Sequence, residues 1–245
     1  MNLLAIETAT EACSVALWVD GEVLERHEVA PRRHTELVLP WAQALLAEAG
    51  LARSQLDAIA CGRGPGAFTG VRLAVAITQG LALALDRPVL AVSTLAALAL
   101  EAEGHDSILA AIDARMGEVY AGLFGRDAEG LVSPLGEERI GAPATLALPG
   151  TVPLVGVGTG FAAEGGVLRE RLAARLLECR AEALPHAAAV ARLGARAFRR
   201  GEAVAPERLE PAYLREKVAL TLSEQGKGVE SRDRGPETGE PGKSP

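Results

Sequence analysis

The chain has 245 residues, 49% of them hydrophobic, and a net charge of −7. That length suits one large domain or two small ones, and with aromatics at only 3% the core must be built from Ala, Leu and Val. The acidic balance excludes the overall basic surface of a protein that grips nucleic acid alone, and three scattered cysteines (Cys13, Cys61, Cys179) without a CxxC exclude a disulfide framework and a zinc knuckle.

The opening MNLLAIETATEAC has no basic n-region and meets Glu7 after a short apolar run, so it reads as a buried strand and not a signal peptide. CSVALWVDG follows as a second strand, with Asp20-Gly21 as a hairpin turn, and EVLERHEVA as a third. HTELVLPWAQALLAEAG predicts a helix with Thr35 as N-cap, Gly50 as its stop and Pro40 blurring its start. LDAIACG is a short strand. A helix over about 67–85 comes next, then the strand PVLAVST and the helix TLAALALEAEG. The first part thus runs β-β-β-α-β-α-β-α to about residue 105.

A second part opens in the same way. SILAAIDA and GEVYAGLFG are strands, turn chemistry runs from Asp127 to Gly130, and LVSPLGEERIG is a third strand candidate. PLVGVGTGF is a later strand with a glycine turn, and HAAAVARLGARAFRRG is a helix. The repeated opening predicts two lobes, 1–105 and 106–221, the second smaller and degraded. Residues 222–245 are rich in Gly, Pro and charge and bury too little to repay ordering, which predicts a disordered tail. Apolar runs are broken by Arg, Asp, Gly or Pro, so no transmembrane helix is expected and the chain is expected to be cytoplasmic.

CGRGPGAFTGVRLAVAITQG has the outline of a phosphate loop, glycines between a strand and a helix. The details fail. Gly70 is followed by Val71 and Arg72 where a Walker loop needs Lys and Ser or Thr, and no three glycines fit GxGxxG. The favoured reading is a tight turn at Gly64, Gly66 and Gly70 that lets the helix pack close. Between Ala67 and Leu85 the polar side chains are only Thr69, Arg72, Thr78 and Gln79, and from Leu37 to Ala49 only Gln43 and Glu48 are strongly polar. Two adjacent helices with surplus apolar surface have two explanations, a partner protein or each other and their own sheet.

MNLLAIETATEACSVALWVDG, GRGPGAFTGVRLAVAITQGLALAL, ILAAIDARMGEVYAG and EPAYLR together resemble the TsaB family over roughly residues 1–220. The resemblance implies an α/β actin-like ATPase fold of two RNase H-like lobes. It also implies a non-catalytic subunit that pairs with TsaD in making threonylcarbamoyladenosine at position 37 of tRNAs. TsaD carries the transferase site, and ATP, Mg and a metal are expected in that complex and none on this chain alone. TsaE is the ATPase partner, tRNA is met through the complex, and a homodimer forms when TsaD is absent. The two apolar helices are implied to meet TsaD, which makes Leu37, Trp41, Leu45, Val71, Leu73, Val75, Ile77 and Leu81 interface candidates.

One departure is visible, because Glu7 stands where TsaB relatives usually have Asp. The actin-like fold holds ATP between its lobes, with acidic residues on the first strand of each lobe placing Mg²⁺ and water. Glu7 and Asp113 end apolar strands there and are candidates for a vestigial nucleotide site; the favoured reading is that each caps a turn. The alternative function is a stand-alone actin-like ATPase or phosphotransferase using these two residues. VGVGTG is either a remnant of an adenosine loop or a plain glycine turn. No two of the four histidines (His27, His34, His105, His186) are three or four apart, and no GxSxG occurs, so no metal centre, catalytic residue or peptidase site is expected. Arg115 beside Asp113, and Arg196, Arg199 and Arg200 on the last helix, are expected to be solvated; tRNA contact is the second reading of the latter three.

Overall fold

The computed structural model describes residues 1–215. The predicted tail at 222–245, and the end of the second lobe at 216–221, lie outside the described residues. Strands β1 (Asn2–Glu7), β2 (Ala12–Val19) and β3 (Glu22–Val29) form an antiparallel run. Asp20 and Gly21 both have positive φ, as a two-residue hairpin with the twist of its strands requires. Parallel strands β4 (Ala58–Gly62) and β5 (Val89–Val92) complete a sheet of order β3-β2-β1-β4-β5.

The two faces of this sheet follow from strand alternation. Leu4 and Ile6 of β1 join Val15 and Leu17 of β2 in one core, and Leu3 and Ala5 join Ala16 and Ala60 in another. Helices α1 (His34–Glu48) and α2 (Phe68–Leu85) cover the first face. In α1 the buried stripe is Val38, Ala42, Leu45 and Leu46, one side of a 3.6-residue period. Thr35 is not its cap: Arg33 holds that position without a side-chain bond, and Pro40 lies well inside the helix. Helix α2 starts after Ala67 and stops at Asp86, which is left-handed, just before Arg87-Pro88.

The second sheet repeats the first. Strands β6 (Ser107–Arg115), β7 (Glu118–Arg126) and β8 (Val132–Pro134) form the antiparallel part, and β10 (Leu154–Val157) and β11 (Leu176–Arg180) add in parallel. Its order, β11-β10-β6-β7-β8, is that of the first sheet strand for strand. The segment LVSPLGEERIG makes two short strands instead of one, β8 and β9 (Arg139–Gly141), both paired with β7. No long helix follows β9 as α1 follows β3, and the link from β10 to β11 holds only short turns and α4 (Val167–Arg171) where the first lobe has α2. Neither β11 nor α4 was expected from the sequence.

The helices ending each half cross over. Helix α3 (Thr94–Leu100), capped by Ser93 accepting from the Ala96 N–H at 3.1 Å, packs against β6, β7 and β8. Helix α5 (Ala187–Arg199) packs on β1 to β5. Position in the chain and membership of a sheet therefore differ for these two helices.

Candidate partner interface

Gly62 ends β4, Gly66 lies in the turn that follows and Gly70 in the first turn of α2, and all three lie against the end of β1 and the residues just after it. A Cβ on Gly62 would overlap the Glu7 carboxylate, one on Gly66 the Ala9 carbonyl, and one on Gly70 the Thr8 carbonyl. Gly64 has φ +94°, and a cis peptide joins it to Pro65. The Ala67 N–H donates to the Ala9 carbonyl at 2.7 Å, and the Thr8 hydroxyl donates to the Gly70 carbonyl at 2.7 Å. Residues 7–9 therefore lie close against the backbone of this segment, closer than a side chain at these glycines would allow.

Glu7 is fully buried. Its Oε1 accepts from the Ala9 N–H at 2.7 Å and its Oε2 from the Thr94 hydroxyl at 2.9 Å. Burial pushes its pKa up to about 7, against the pull of those bonds. Thr94 Oγ1 also accepts from the Gly64 N–H at 3.1 Å, and the Thr94 N–H donates to the Gly64 carbonyl at 2.9 Å. Beside Thr94, the Ser93 hydroxyl bonds to Glu138, whose pKa is raised by burial. Asp113 caps the turn after β6: its Oδ1 accepts from the Arg115 N–H and its Oδ2 pairs with the Arg115 guanidinium, both at 2.8 Å. Both nucleotide candidates are thus engaged in internal bonds, and no group of three metal-ligating side chains occurs among the described residues. The glycines of VGVGTG pack on the chain itself, Gly158 and Gly160 against Ala111 and Gly156 against the Phe161 ring.

Helices α1 and α2 each expose large apolar side chains, as do Val29, Met116, Leu135, Val152, Leu177 and Tyr213 elsewhere among the described residues. Leu39 is 49% exposed, Phe68 56% and Leu83 55%. Leu37, Trp41, Leu73, Ile77 and Leu81 are partly buried, and all but Leu73 pack against the core beneath the two helices. Leu45, Val71 and Val75 are buried against their own chain. Sequence alone left the phase open, because an almost uniformly apolar helix has no polar stripe to mark its outside. Leu39, Phe68 and Leu83, exposed here, were not among the sequence candidates. The Arg72 guanidinium stacks on the Phe68 ring at 3.2 Å, with Tyr213 at 5.1 Å.

Helix α2 is also long and apolar enough to cross a membrane by length and composition, with mean hydropathy 1.5, against the expectation that no segment would qualify. Its inner side is committed elsewhere. Val71, Ala74, Val75, Thr78 and Ala82 are buried, and the Gln79 amide donates to the carbonyls of Pro206 and Leu209 at 3.1 Å.

Other candidates are structural. Arg196 is not solvated: it pairs with Asp127 at 2.7 Å and donates to the Val132 carbonyl. Burial holds the Cys13 and Cys61 thiols up at about 12, so both stay protonated. Ser14, on β2, donates its hydroxyl to Glu25 at 2.7 Å and accepts from the Ala187 N–H at 2.9 Å.

Two sheets of the same strand order, one from each half of the chain, are the architecture of an actin-like ATPase fold of two RNase H-like lobes. Residues 26–221 match the family model described as TsaD: tRNA N6-adenosine threonylcarbamoyltransferase. The chain is 42% identical to the tRNA threonylcarbamoyladenosine biosynthesis protein TsaB of Escherichia coli (strain K12), covering 89% of this chain and 96% of that protein. It is 38% identical to the TsaB of Haemophilus influenzae over 89% and 95%. A solved structure described as YeaZ from Pseudomonas aeruginosa superposes with a TM-score of 0.78 at 45% identity, over 87% of this chain and 99% of that one. Another from the same organism, described by its similarity to the peptidase YEAZ, gives 0.79. The chain belongs to the TsaB family, whose members are named for threonylcarbamoyladenosine biosynthesis on tRNA.

Proposed function

We propose that this chain is a non-catalytic subunit that binds TsaD through the outer face of α1 and α2. It thereby supports threonylcarbamoyl transfer to adenosine in tRNA. The observation that carries this reading is the exposure of Leu39 on α1 and of Phe68 and Leu83 on α2, helices whose opposite sides are already spent on their own sheet. Apolar area left in water on two neighbouring helices is what a protein partner removes. The internal bonds of Glu7 and Asp113 favour this over the ATPase alternative. ATP, Mg, a metal and the TsaE subunit belong, on this reading, to the assembled complex, which works in the cytoplasm. A second copy of this chain occupies the same face when TsaD is absent.

The test is titration of the chain with TsaD from the same source, followed by a tRNA-modification assay containing TsaE, ATP and the threonylcarbamoyl donor. Modification that needs both proteins, and that is lost in Leu83→Glu, supports the proposal. ATP hydrolysis by the isolated chain, abolished in Asp113→Ala and indifferent to Leu83→Glu, would replace it with the enzyme reading.

A further inference from the structure

We propose that Glu7 is a positioning residue that sets where the partner-facing helix α2 begins. It acts through Ala9 and Thr94, and its ionised form holds the turn best. This rests on the reading of α1 and α2 as the partner face. Glu7 touches nothing on that face, yet both of its oxygens lead there. Oε1 holds the Ala9 N–H, and the Ala9 carbonyl in turn accepts from Ala67, the residue that opens α2. Oε2 holds the Thr94 hydroxyl, whose oxygen is then aimed to accept from the Gly64 N–H in the middle of the turn. Gly62 has no room for a side chain because the carboxylate occupies it. Three segments distant in sequence, the end of β1, the turn before α2 and the start of α3, therefore share one carboxylate.

Protonation changes what that carboxylate offers. An ionised carboxylate accepts at both oxygens, whereas a protonated one must donate at one of them. The Ala9 N–H cannot accept. A proton on Oε2 turns the Thr94 hydroxyl from donor into acceptor and leaves the hydroxyl's own hydrogen to compete with the Gly64 N–H. The surrounding groups do not compensate. Cys61, on β4, stays a neutral thiol, α3 contributes Thr94 and Ser93, and Arg63 acts on Glu138 on the far side of Ser93. Burial without a cationic partner brings the proton on near neutrality.

The experiment compares wild type, Glu7→Gln and Thr94→Val between pH 6 and 8 in two readouts on the full chain. One is amide exchange at Ala67 and Val71, and the other is affinity for TsaD. Wild type is expected to bind about fivefold more weakly at pH 6 than at pH 8, the low end of coupling between two sites. Glu7→Gln should lie near the low-pH value throughout and be flat with pH. Thr94→Val, which keeps the carboxylate but cuts its link to Gly64, should speed exchange at both amides while the second sheet stays protected. Unchanged exchange and affinity in both variants would overturn the proposal, as would a uniform loss of protection through both sheets. If the amides respond as expected but no form binds TsaD at any pH, the hold of Glu7 on α2 stands and the proposed function falls.

Discussion

Glu7 places a carboxylate where water is excluded, so its charge works against the fold even as it orders a turn. A carboxyl with a raised folded pKa contributes no penalty below its unfolded pKa of 4.5. The penalty grows through that value and is complete above about pH 7. The shift corresponds to roughly 3 kcal/mol at most. Thermal unfolding of wild type should therefore show stability falling between pH 4.5 and 7, and the same curve for Glu7→Gln should lose most of that slope. Function at the cost of stability is common at positions of this kind. Gly70 supplies a second residue-scale expectation. Its missing Cβ makes room for the Thr8 carbonyl, a backbone atom that cannot swing aside. Gly70→Ala should cost about 1–3 kcal/mol by urea denaturation, as overpacking does, although alanine is the better helix former.

Helices α1 and α2 show why element type is easier to read than element face. Their existence follows from composition, length and the Gly and Pro that flank them. Their orientation does not, because nearly every position is apolar. Of the proposed interface set, Leu45, Val71 and Val75 turned inward, and Leu39, Phe68 and Leu83 emerged on the outside. A pair of substitutions tests that division. Leu45→Ala, in the core beneath α1, should cost about 2–5 kcal/mol of stability. Leu83→Glu, more than half exposed, should change stability by less than about 0.5 kcal/mol while abolishing partner or self association in analytical ultracentrifugation. The glycines between β4 and the first turn of α2 stand out in the sequence by their density alone. What Gly66 and Gly70 pack against was not legible there, since Ala9 and Thr8 are more than fifty positions away.

At the scale of the molecule, α5 is the cross-tie that closes the first sheet, and its docking is electrostatic as well as apolar. Glu25 on β3 accepts from the Ala188 N–H at 2.9 Å, from Ser14 at 2.7 Å and pairs with His186 at 3.0 Å, so it caps the start of α5 from outside the helix. Burial pushes Glu25 up, but His186, Ala188 and Ser14 together hold it down at about 2. The bond to Glu25 outweighs burial and raises His186, whose ring stacks on His27 at 3.9 Å. The carboxylate's contribution is present above pH 4.5 and is lost as pH falls through about 2. That of His186 is full below 6.5 and is lost as pH rises through its raised pKa. Glu25→Ala should lower stability by about 2 kcal/mol at pH 6, combining a lost cap with an unpaired histidine, measured by urea denaturation, with a smaller loss at pH 9.

The order of strands and helices through α3, the three-strand opening of each half and the failure of the phosphate-loop pattern were in the sequence, because each depends on neighbours within a few residues, whereas β9, α4 and β11 were not read there. Membership of the TsaB family was in the sequence too, carried by stretches such as GRGPGAFTGVR and AIDARMGEVY. Tertiary structure alone decided the rest. The crossing of α3 and α5, the pairing of Glu25 with His186 across 161 positions, the meeting of Glu7 with Thr94 and the outward face of α2 all depend on how sheets stack. Local propensity carries no information about contacts that only a closed core brings together.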